Sequence, residues 1–189
     1  MINIVAIVLL VIVVAVPLFV YNRLVHLRNL TRESWRDIDT ELQRRYDLIP
    51  NLVDTVKGYA AHEQQTFDAV AAQRADAMAT AREPDTQAAR ERALGRGVTQ
   101  LLAVAERYPE LRASGQFLAL QRQLVETEDR IQVARRIYNA NVRAYDTLVQ
   151  TFPAGLVARG FGFTPRPYFE VEPIVRDAGP PPVDLSGRT

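Results

Sequence analysis

The feature that most constrains this chain is a long apolar seam between Ser114 and Phe152. At alternating spacings of three and four residues, the seam contains Phe117, Leu120, Leu124, Thr127, Ile131, Ala134, Tyr138, Asn141, Tyr145, Leu148 and Phe152. A heptad pattern kept over about five repeats predicts a helix with an apolar stripe along one side. A helix of this length is roughly 60 Å long, and other elements must cover its stripe. The seam therefore predicts an all-α protein built as an elongated helical bundle.

The composition excludes several classes of function. A formal net charge of +1 provides no basic footprint, so we expect no nucleic acid as a partner. Because the chain has no cysteine, it has no disulfide framework, thiol nucleophile or cysteine-ligated zinc. Its two histidines, His26 and His62, would need several carboxylates to complete a metal site. We therefore predict no cofactor and no metal.

The N-terminal residues predict a membrane anchor. There is no polar side chain from Ile4 to Val20, and residues 1–21 contain no charged one. About 20 apolar residues are enough to cross a bilayer. A cleaved signal peptide is the competing interpretation, but no Lys or Arg precedes the apolar run, the run is too long, and no A-x-A site follows it. We therefore predict a retained single-pass transmembrane helix over residues 1–21, with the lipid bilayer as a partner.

The charges beside this segment predict its orientation. The residues that follow it include Arg23, His26, Arg28, Arg32 and Arg36, whereas no charged side chain precedes it. Positively charged flanks remain on the cytoplasmic side of a membrane. The N-terminus is therefore expected outside, and the domain that follows is expected in the cytoplasm.

The same apolar spacing continues beyond the anchor and predicts three helices before the one that carries the seam, the first of which is the extended anchor helix. The first helix extends to about Tyr46, and Asp47 caps a second helix that has Pro50 in its first turn. The second helix ends near Arg82, before a Pro-containing break. The third helix ends at Pro109, and its two glycines predict either fraying or a close approach of another helix. These glycines are Gly95 and Gly97.

The short connections between these helices predict their arrangement. Short loops place neighbouring helices antiparallel, which gives an up-and-down bundle over residues 22–172. After Phe152, aromatic residues mixed with Gly and Pro are expected to lie back on the bundle and plug an apolar gap. The Pro-rich residues 173–189 are predicted to be a disordered tail.

No motif in the sequence carries a complete catalytic pattern. The string from His62 to Gln65 begins like a zinc-protease motif, but Thr66 stands where the second histidine is needed. None of the three serines lies in G-x-S-x-G. A di-iron bundle needs paired Glu-x-x-His motifs, and neither histidine has a glutamate three residues before it. We therefore predict no catalytic residues.

Charged residues on or beside the seams are the remaining candidates for a site. They are Arg45, Glu63, Arg74, Glu128 and Arg135. One interpretation places them at flanking positions, where their charged ends reach solvent. The sharper hypothesis is a buried charge layer in which Glu63 and Glu128 pair with Arg74 and Arg135 across helices. A second candidate is an interaction turn formed by Asp47, Leu48, Ile49, Pro50, Asn51 and Leu52.

Several strings of residues resemble the LemA family. The most specific is Arg44-Arg45-Tyr46-Asp47-Leu48-Ile49-Pro50-Asn51-Leu52-Val53, and further matches are Tyr108-Pro109-Glu110-Leu111 and Ala134-Arg135-Arg136-Ile137-Tyr138-Asn139. The resemblance extends from the anchor to about Glu172. Two positions depart from the family pattern, since Asp146 and Gly155 stand where the family usually has Asn. The resemblance implies a bacterial single-pass protein of the cytoplasmic (inner) membrane with a helical cytoplasmic domain and no established enzymatic activity.

Together, the anchor and the resemblance favour an interaction or scaffold role. The first hypothesis is a membrane-anchored module that forms homo-oligomers. Confinement to a membrane raises the effective concentration of the chain and favours this association. The alternative is an adaptor or regulator of another membrane protein, such as a protease. A third hypothesis, an enzyme with a carboxylate site between helices, is disfavoured by the missing Glu-x-x-His pairs.

Overall fold

The computed structural model describes residues 2–79, 83–171 and 174, and these residues form six α-helices and no strand. The helices are α1 (Ile2–Lys57), α2 (Gln64–Met78), α3 (Pro84–Glu106), α4 (Pro109–Arg112), α5 (Gly115–Gln150) and α6 (Ala154–Gly160). The prediction of an all-α protein is confirmed. Of the predicted tail, residues 173–189, only Ile174 belongs to the described part, and the predicted end of the second helix near Arg82 lies outside it.

The chain divides into two compact units. Unit 1 contains the described parts of Met1–Gln43, Thr80–Ala89 and Ile131–Glu170. Unit 2 contains the described parts of Arg44–Ala79, Arg90–Arg130 and Val171–Thr189. Both units draw on α1, α3 and α5.

Unit 1 is built around an antiparallel pair of helices. The amide of Asn141 in α5 donates a hydrogen bond of 3.2 Å to the hydroxyl of Ser34 in α1. On the side toward the start of α1, both helices contribute to a core that α6 and Phe163 complete. The buried residues of this core are Val20, Leu24, Leu27, Tyr145, Val149, Ala154, Ala158 and Phe163. Phe163 and Phe169 of the C-terminal aromatic segment are buried, as the predicted plug requires, whereas Phe161 is 64% exposed, so the segment fills the apolar gap only in part.

The extended residues after α6 are fixed to α5 within unit 1. The side-chain amide of Asn139 accepts a hydrogen bond from the backbone N–H of Phe169 (2.9 Å) and donates one to its carbonyl (3.0 Å). The Tyr138 hydroxyl donates to the carbonyl of Pro167 over 2.9 Å. The ring of Phe169 is fully buried, with its centroid 5.2 Å from that of Trp35. The segment is therefore held by both backbone hydrogen bonds and ring packing.

In unit 2, α2 packs closely on α3 at Gly97. A methyl group at this position would lie 3.3 Å from the Val70 side chain and would collide with the side chain of Gln73. Of the two outcomes predicted for the glycines of this helix, the close approach is the one found at Gly97. The loop to α5 ends at Ser114, whose hydroxyl lies 3.5 Å from the backbone nitrogen of Phe117, in the geometry of a helix N-cap.

The predicted break at Asp47 is wrong, because α1 continues to Lys57. Its buried positions include Leu42, Arg45, Ile49, Leu52 and Val56, so the heptad spacing passes through Pro50 without a change of phase. The chain reverses later, over residues 58–63, and α2 starts at Gln64. The seam therefore overrides the local signals from Asp47 and Pro50.

The candidate interaction turn is corrected for the same reason. Asp47, Leu48, Ile49, Pro50, Asn51 and Leu52 are all helical. Ile49 and Leu52 are buried in the seam, whereas Asp47 and Asn51 are exposed. These six residues form a stretch of helix with one buried side and are not a turn.

The seam of α5 follows its prediction for most of its length and then shifts. From Phe117 to Tyr138, each predicted position is buried. Beyond this point the buried residues of α5 are Val142, Tyr145, Asp146 and Val149, while Phe152, which follows the end of α5, is 83% exposed. A helix with 3.6 residues per turn drifts away from a strict heptad, so burial shifts from the predicted Asn141 and Leu148 to Val142 and Val149. Phe152 does not belong to this pattern, since α5 ends at Gln150.

Candidate functional site

A buried ionic cluster lies in unit 2, with one arginine between two glutamates. Nη1 of Arg45 donates a hydrogen bond of 2.7 Å to Oε1 of Glu128. Nη2 of the same side chain donates to Oε2 of Glu91. All three side chains are almost completely shielded from solvent. The guanidinium group therefore bridges two carboxylates that come from two different helices.

The heptad register of three helices brings this cluster together. Arg45 continues the buried spacing of α1, and Glu128 lies next to Thr127 on the seam of α5. In α3 the buried residues include Gln87, Glu91, Leu94, Val98, Leu101 and Ala105, again at spacings of three and four. Each charged residue thus occupies a position in the core that the helical period dictates.

Neighbouring groups bind the remaining carboxylate oxygens. The hydroxyl of Tyr46 contacts Oε1 of Glu91 and lies 3.4 Å from the carbonyl of Ala77. The backbone N–H of Ile174 donates to Oε2 of Glu128 over 3.2 Å. All four carboxylate oxygens therefore have a hydrogen-bond donor, which is what a buried carboxylate needs.

The chemistry of this cluster suits a structural role. A guanidinium group stays protonated in proteins, so Arg45 cannot act as a general base. It occupies the position between two carboxylates where a bridging cation would otherwise be attracted. Within the described residues, no group of three or more His, Cys, Asp and Glu side chains is arranged to hold a metal ion. Buried ionic groups of this kind fix the register of helices that pack together.

The predicted charge layer is only partly buried. Glu128 belongs to the buried cluster, but its partner is Arg45. Glu63 pairs with Arg107 over 2.7 Å at a partly exposed position, because it lies in the loop before α2 and not on a seam. The charged end of Arg74 binds the backbone, and Arg135 is half-buried in α5. The hypothesis pairs Glu63 and Glu128 with Arg74 and Arg135. In the structure, Glu63 pairs with Arg107, and Glu128 pairs with Arg45.

Arg74 binds a carbonyl group that Pro50 leaves without its helical donor. In a regular helix, the carbonyl of Tyr46 accepts from the N–H of the residue four positions later. That residue is Pro50, which has no N–H. Nε of Arg74 instead donates to the Tyr46 carbonyl over 2.7 Å. This hydrogen bond explains how α1 continues through a proline with its backbone polar groups satisfied.

Glu91 is the main residue that the sequence analysis missed. The predicted seam of α3 began at Leu94, yet subtracting three and then four more residues leads to Glu91 and Gln87. Both are buried, so the signal was present in the spacing. Charged and amide side chains are seldom fully buried, so the spacing alone does not predict burial at these two positions.

Unit 1 contains a second polar region, around a cleft of about 500 Å³. Its lining includes Arg32, Arg36, Arg166 and the ring of Trp35. Burial raises the pKa of Tyr138, another lining residue, to about 12 and keeps its hydroxyl protonated as a donor to Pro167. Burial also raises the pKa of Asp146, although a hydrogen bond of 3.0 Å from the backbone N–H of Arg166 works in the opposite direction.

The start of α1 differs from the rest of the described chain. It forms a helix that is long and apolar enough to cross a membrane. Only 6% of its most apolar 18-residue stretch is buried within the protein. Ten large apolar residues between Ile4 and Leu18 are more than one-third exposed: Ile4, Val5, Leu9, Leu10, Val11, Ile12, Val13, Val14, Val16 and Leu18. Burial begins at Val20. Within the residues that the structure describes, the fold is therefore all-α with one exposed helical segment of membrane length.

Comparisons with known proteins agree with this class. The LemA family model matches residues 34–184. Two relatives from Paramagnetospirillum magneticum, Magnetosome protein MamQ 2 and Magnetosome protein MamQ 1, are each 25% identical to this chain over 185 residues. Each alignment covers 85% of this chain and 68% of the relative. Magnetosome protein MamQ from Magnetospirillum gryphiswaldense is 22% identical over 178 residues, covering 81% of this chain and 65% of that protein.

The family match covers most of the chain, and the chain belongs to the LemA family. The resemblance seen in the sequence is thereby confirmed. Family membership and the exposed apolar helix together indicate a membrane-associated protein.

Proposed function

We propose that this protein is a membrane-anchored interaction module that performs no catalysis and associates with further copies of itself. In this proposal, the apolar start of α1 crosses the bacterial inner membrane once. The N-terminus lies outside, and the helical domain lies in the cytoplasm. The proposal extends the membrane association indicated by the family and the apolar helix to a specific topology and role.

The observation that carries the proposal is the abrupt change along α1. From Ile4 to Phe19 the large apolar side chains that the structure describes are exposed, whereas Val20 and Leu24 pack into the core of unit 1. Exposed apolar surface of this extent is unfavourable in water and favourable in lipid. The apolar stretch is also of the length that a bilayer requires.

The proposed orientation rests on the charges next to this stretch. The first acidic residue of the chain is Glu33, and Arg23, Arg28 and Arg32 precede it. An excess of arginine directly beside a membrane segment favours the cytoplasmic side.

Two observations support a role without catalysis. The buried charges of unit 2 bind one another and the protein backbone, which leaves them engaged in holding helices together. In addition, the three relatives are named as magnetosome proteins, and their names state no reaction.

An exposed stripe on α5 supports self-association. It consists of Val133, Ile137, Ala140 and Ala144, at spacings of four, three and four on the side of the helix away from its core. Because anchored copies share one orientation, the stripes of two copies are presented to each other side by side in a symmetric pair. The two small residues of the stripe, Ala140 and Ala144, lie four positions apart and permit close packing of two helices.

Extraction of membranes tests the proposed anchor. Membranes that contain the full chain are washed with alkaline carbonate, which releases peripheral proteins and leaves transmembrane proteins behind. We expect the full chain to remain with the membrane and a variant that lacks residues 2–20 to be released. Recovery of the intact full chain in the soluble fraction would contradict the proposal.

A further inference from the structure

A second group of exposed apolar side chains lies in α6 and in the turns directly before and after it. Phe152 is 83% exposed, Leu156 is 61% exposed and Phe161 is 64% exposed. All three belong to unit 1, and residues 152–163 are called the corner segment below. Side chains of this size are seldom left in water as a contiguous group unless the group is a site of interaction.

Packing inside unit 1 fixes the position of the corner segment along α1. Ala154, Ala158 and Phe163 share the core with Val20 and Leu24. The ring of Tyr21 lies 4.8 Å from the ring of Phe161 between centroids and 5.8 Å from that of Phe163. The corner segment therefore stands beside the residues where the exposed apolar part of α1 ends, and Phe19, itself 72% exposed, lies at this boundary.

The charged residues within the corner segment and beside the apolar part of α1 are arginines, while Asp146, which binds the backbone N–H of Arg166, is buried. Residues 147–169 contain no acidic residue, and neither do residues 1–32. The cations in these two stretches are Arg23, Arg28, Arg32, Arg159 and Arg166. The guanidinium carbon of Arg28 lies 5.0 Å from the centroid of the Phe163 ring, in cation–π geometry. Exposed aromatic and aliphatic side chains flanked by arginine are typical of a helix that lies in the interface of an anionic bilayer.

We propose that the corner segment is a second membrane contact, in which Phe152, Leu156 and Phe161 enter the lipid interface beside α1. This inference rests on the proposed function, because it takes the level of Val20 as the membrane surface. Its occupant is a bilayer that contains anionic lipid. The continuity of the corner segment with the exposed part of α1 and the arginines of the flanking stretches favour lipid over a protein surface.

A second contact has a mechanical consequence for the domain. A single helix that leaves a membrane allows the attached domain to rotate and tilt. Two contacts on different elements, α1 and α6, limit this motion and present one side of unit 1 to the plane of the membrane. The orientation of the domain is then set by its own residues and does not require a partner.

The absence of cysteine allows a direct test with single cysteine residues. The full chain is reconstituted in nanodiscs of phosphatidylethanolamine and phosphatidylglycerol, and a nitroxide label is attached to Leu156→Cys. Its accessibility to oxygen, which concentrates in lipid, is compared with its accessibility to a nickel complex, which stays in water. Leu118→Cys in α5, 44% exposed and in unit 2, is the aqueous control, and Val13→Cys in α1 is the lipid control.

We expect the label at Leu156 to have a higher oxygen-to-nickel ratio than the label at Leu118, at a depth of about 5–10 Å in the interface. A ratio at Leu156 equal to that at Leu118, with the label at Val13 in lipid, would overturn the second contact and leave the anchor intact. Shielding of the label at Leu156 from both reagents would also overturn it, because protein would then cover the corner segment. A label at Val13 that is accessible to nickel would contradict the anchor itself.

Discussion

At the scale of single residues, the buried side chain of Arg45 is the most sensitive point of unit 2. It neutralises two carboxylates from different helices, and its removal leaves both carboxylates buried without a cation. We expect Arg45→Met to lower the free energy of unfolding by about 3–5 kcal/mol. The measurement is thermal or denaturant unfolding in mild detergent, followed by circular dichroism.

Arg107→Met is the matched control for this substitution. Arg107 also forms an ion pair of 2.7 Å with a glutamate, but the pair is largely exposed. Exposed pairs contribute roughly 0–1 kcal/mol, so the control is expected to unfold close to wild type. Combining Arg45→Met with Glu91→Leu and Glu128→Leu should recover much of the lost stability, because no charge then remains buried. Equal effects of Arg45→Met and Arg107→Met would contradict the structural role of the cluster.

Asp146 predicts a stability that depends on pH. Because burial raises its pKa, the native state binds a proton more readily than the unfolded state. This contribution is fully present below the unfolded pKa of about 3.9 and is lost as the pH rises through the native pKa. Asn at this position has no charge and keeps an oxygen that accepts from the backbone of Arg166.

We therefore expect Asp146→Asn to raise the melting temperature at neutral pH. The difference from wild type should shrink as the pH is lowered toward the unfolded pKa, where both side chains are neutral. Melting temperatures of the two proteins across this pH range provide the measurement. A variant that is less stable than wild type at neutral pH would show instead that the charge of Asp146 stabilises the fold.

Sequence reasoning at this scale found the charged candidates but not their partners. Glu128 and Arg45 both stood on or beside seams, and both are buried. The cluster that they form with Glu91 could not be predicted, because a glutamate is seldom fully buried at a seam position. The partner of Arg74 is a backbone carbonyl, and no pattern of side chains encodes which carbonyl a proline leaves open.

At the scale of elements, α1 depends on the hydrogen bond that compensates for Pro50. Arg74→Ala removes the donor to the Tyr46 carbonyl, and we expect a loss of about 1–3 kcal/mol in the free energy of unfolding. Pro50→Ala supplies a backbone N–H in its place. In the Pro50→Ala background, Arg74→Ala should therefore cost much less.

A double-mutant cycle of these two substitutions measures the coupling between α1 and α2. The free energies of unfolding of wild type, both single variants and the double variant are determined under the same conditions. Additive effects would contradict the compensation, since additivity means that Arg74 contributes equally whether or not residue 50 has an N–H.

The elements themselves were largely predictable from their periods. The seam of α5 and the end of α3 before Pro109 follow from spacing and from helix breakers. The predicted helix boundary at Asp47 was wrong, because a capping residue and a proline in a first turn are only local signals. The seam through Arg45, Ile49 and Leu52 is a longer-range signal, and burial of that stripe outweighs the cost of one proline.

At the scale of the whole molecule, self-association in the membrane is expected to depend on the exposed stripe of α5. Ile137 is 50% exposed, so Ile137→Asp should leave the fold unchanged. Burying its charge between two copies would cost far more than 1.4 kcal/mol, and we expect the dissociation constant to rise by more than about tenfold. Leu118→Asp is the matched control, because Leu118 lies on the same helix with similar exposure outside the stripe.

Family membership and the fold class were both predictable from the sequence, because they are carried by long strings and long periods. The exposure of the large side chains in the corner segment was not predictable, because the heptad pattern predicts that Phe152 is buried. Only the packing of α6 against α1 reveals that this residue and its neighbours face outward.

The most direct test of a self-associating membrane module is the mass of the purified full chain in mild detergent, measured by light scattering with the detergent contribution subtracted. The account predicts a mass of two or more chains for wild type and for Leu118→Asp, and a shift toward one chain for Ile137→Asp. A wild-type mass of one chain at every concentration would contradict self-association and would favour the adaptor role.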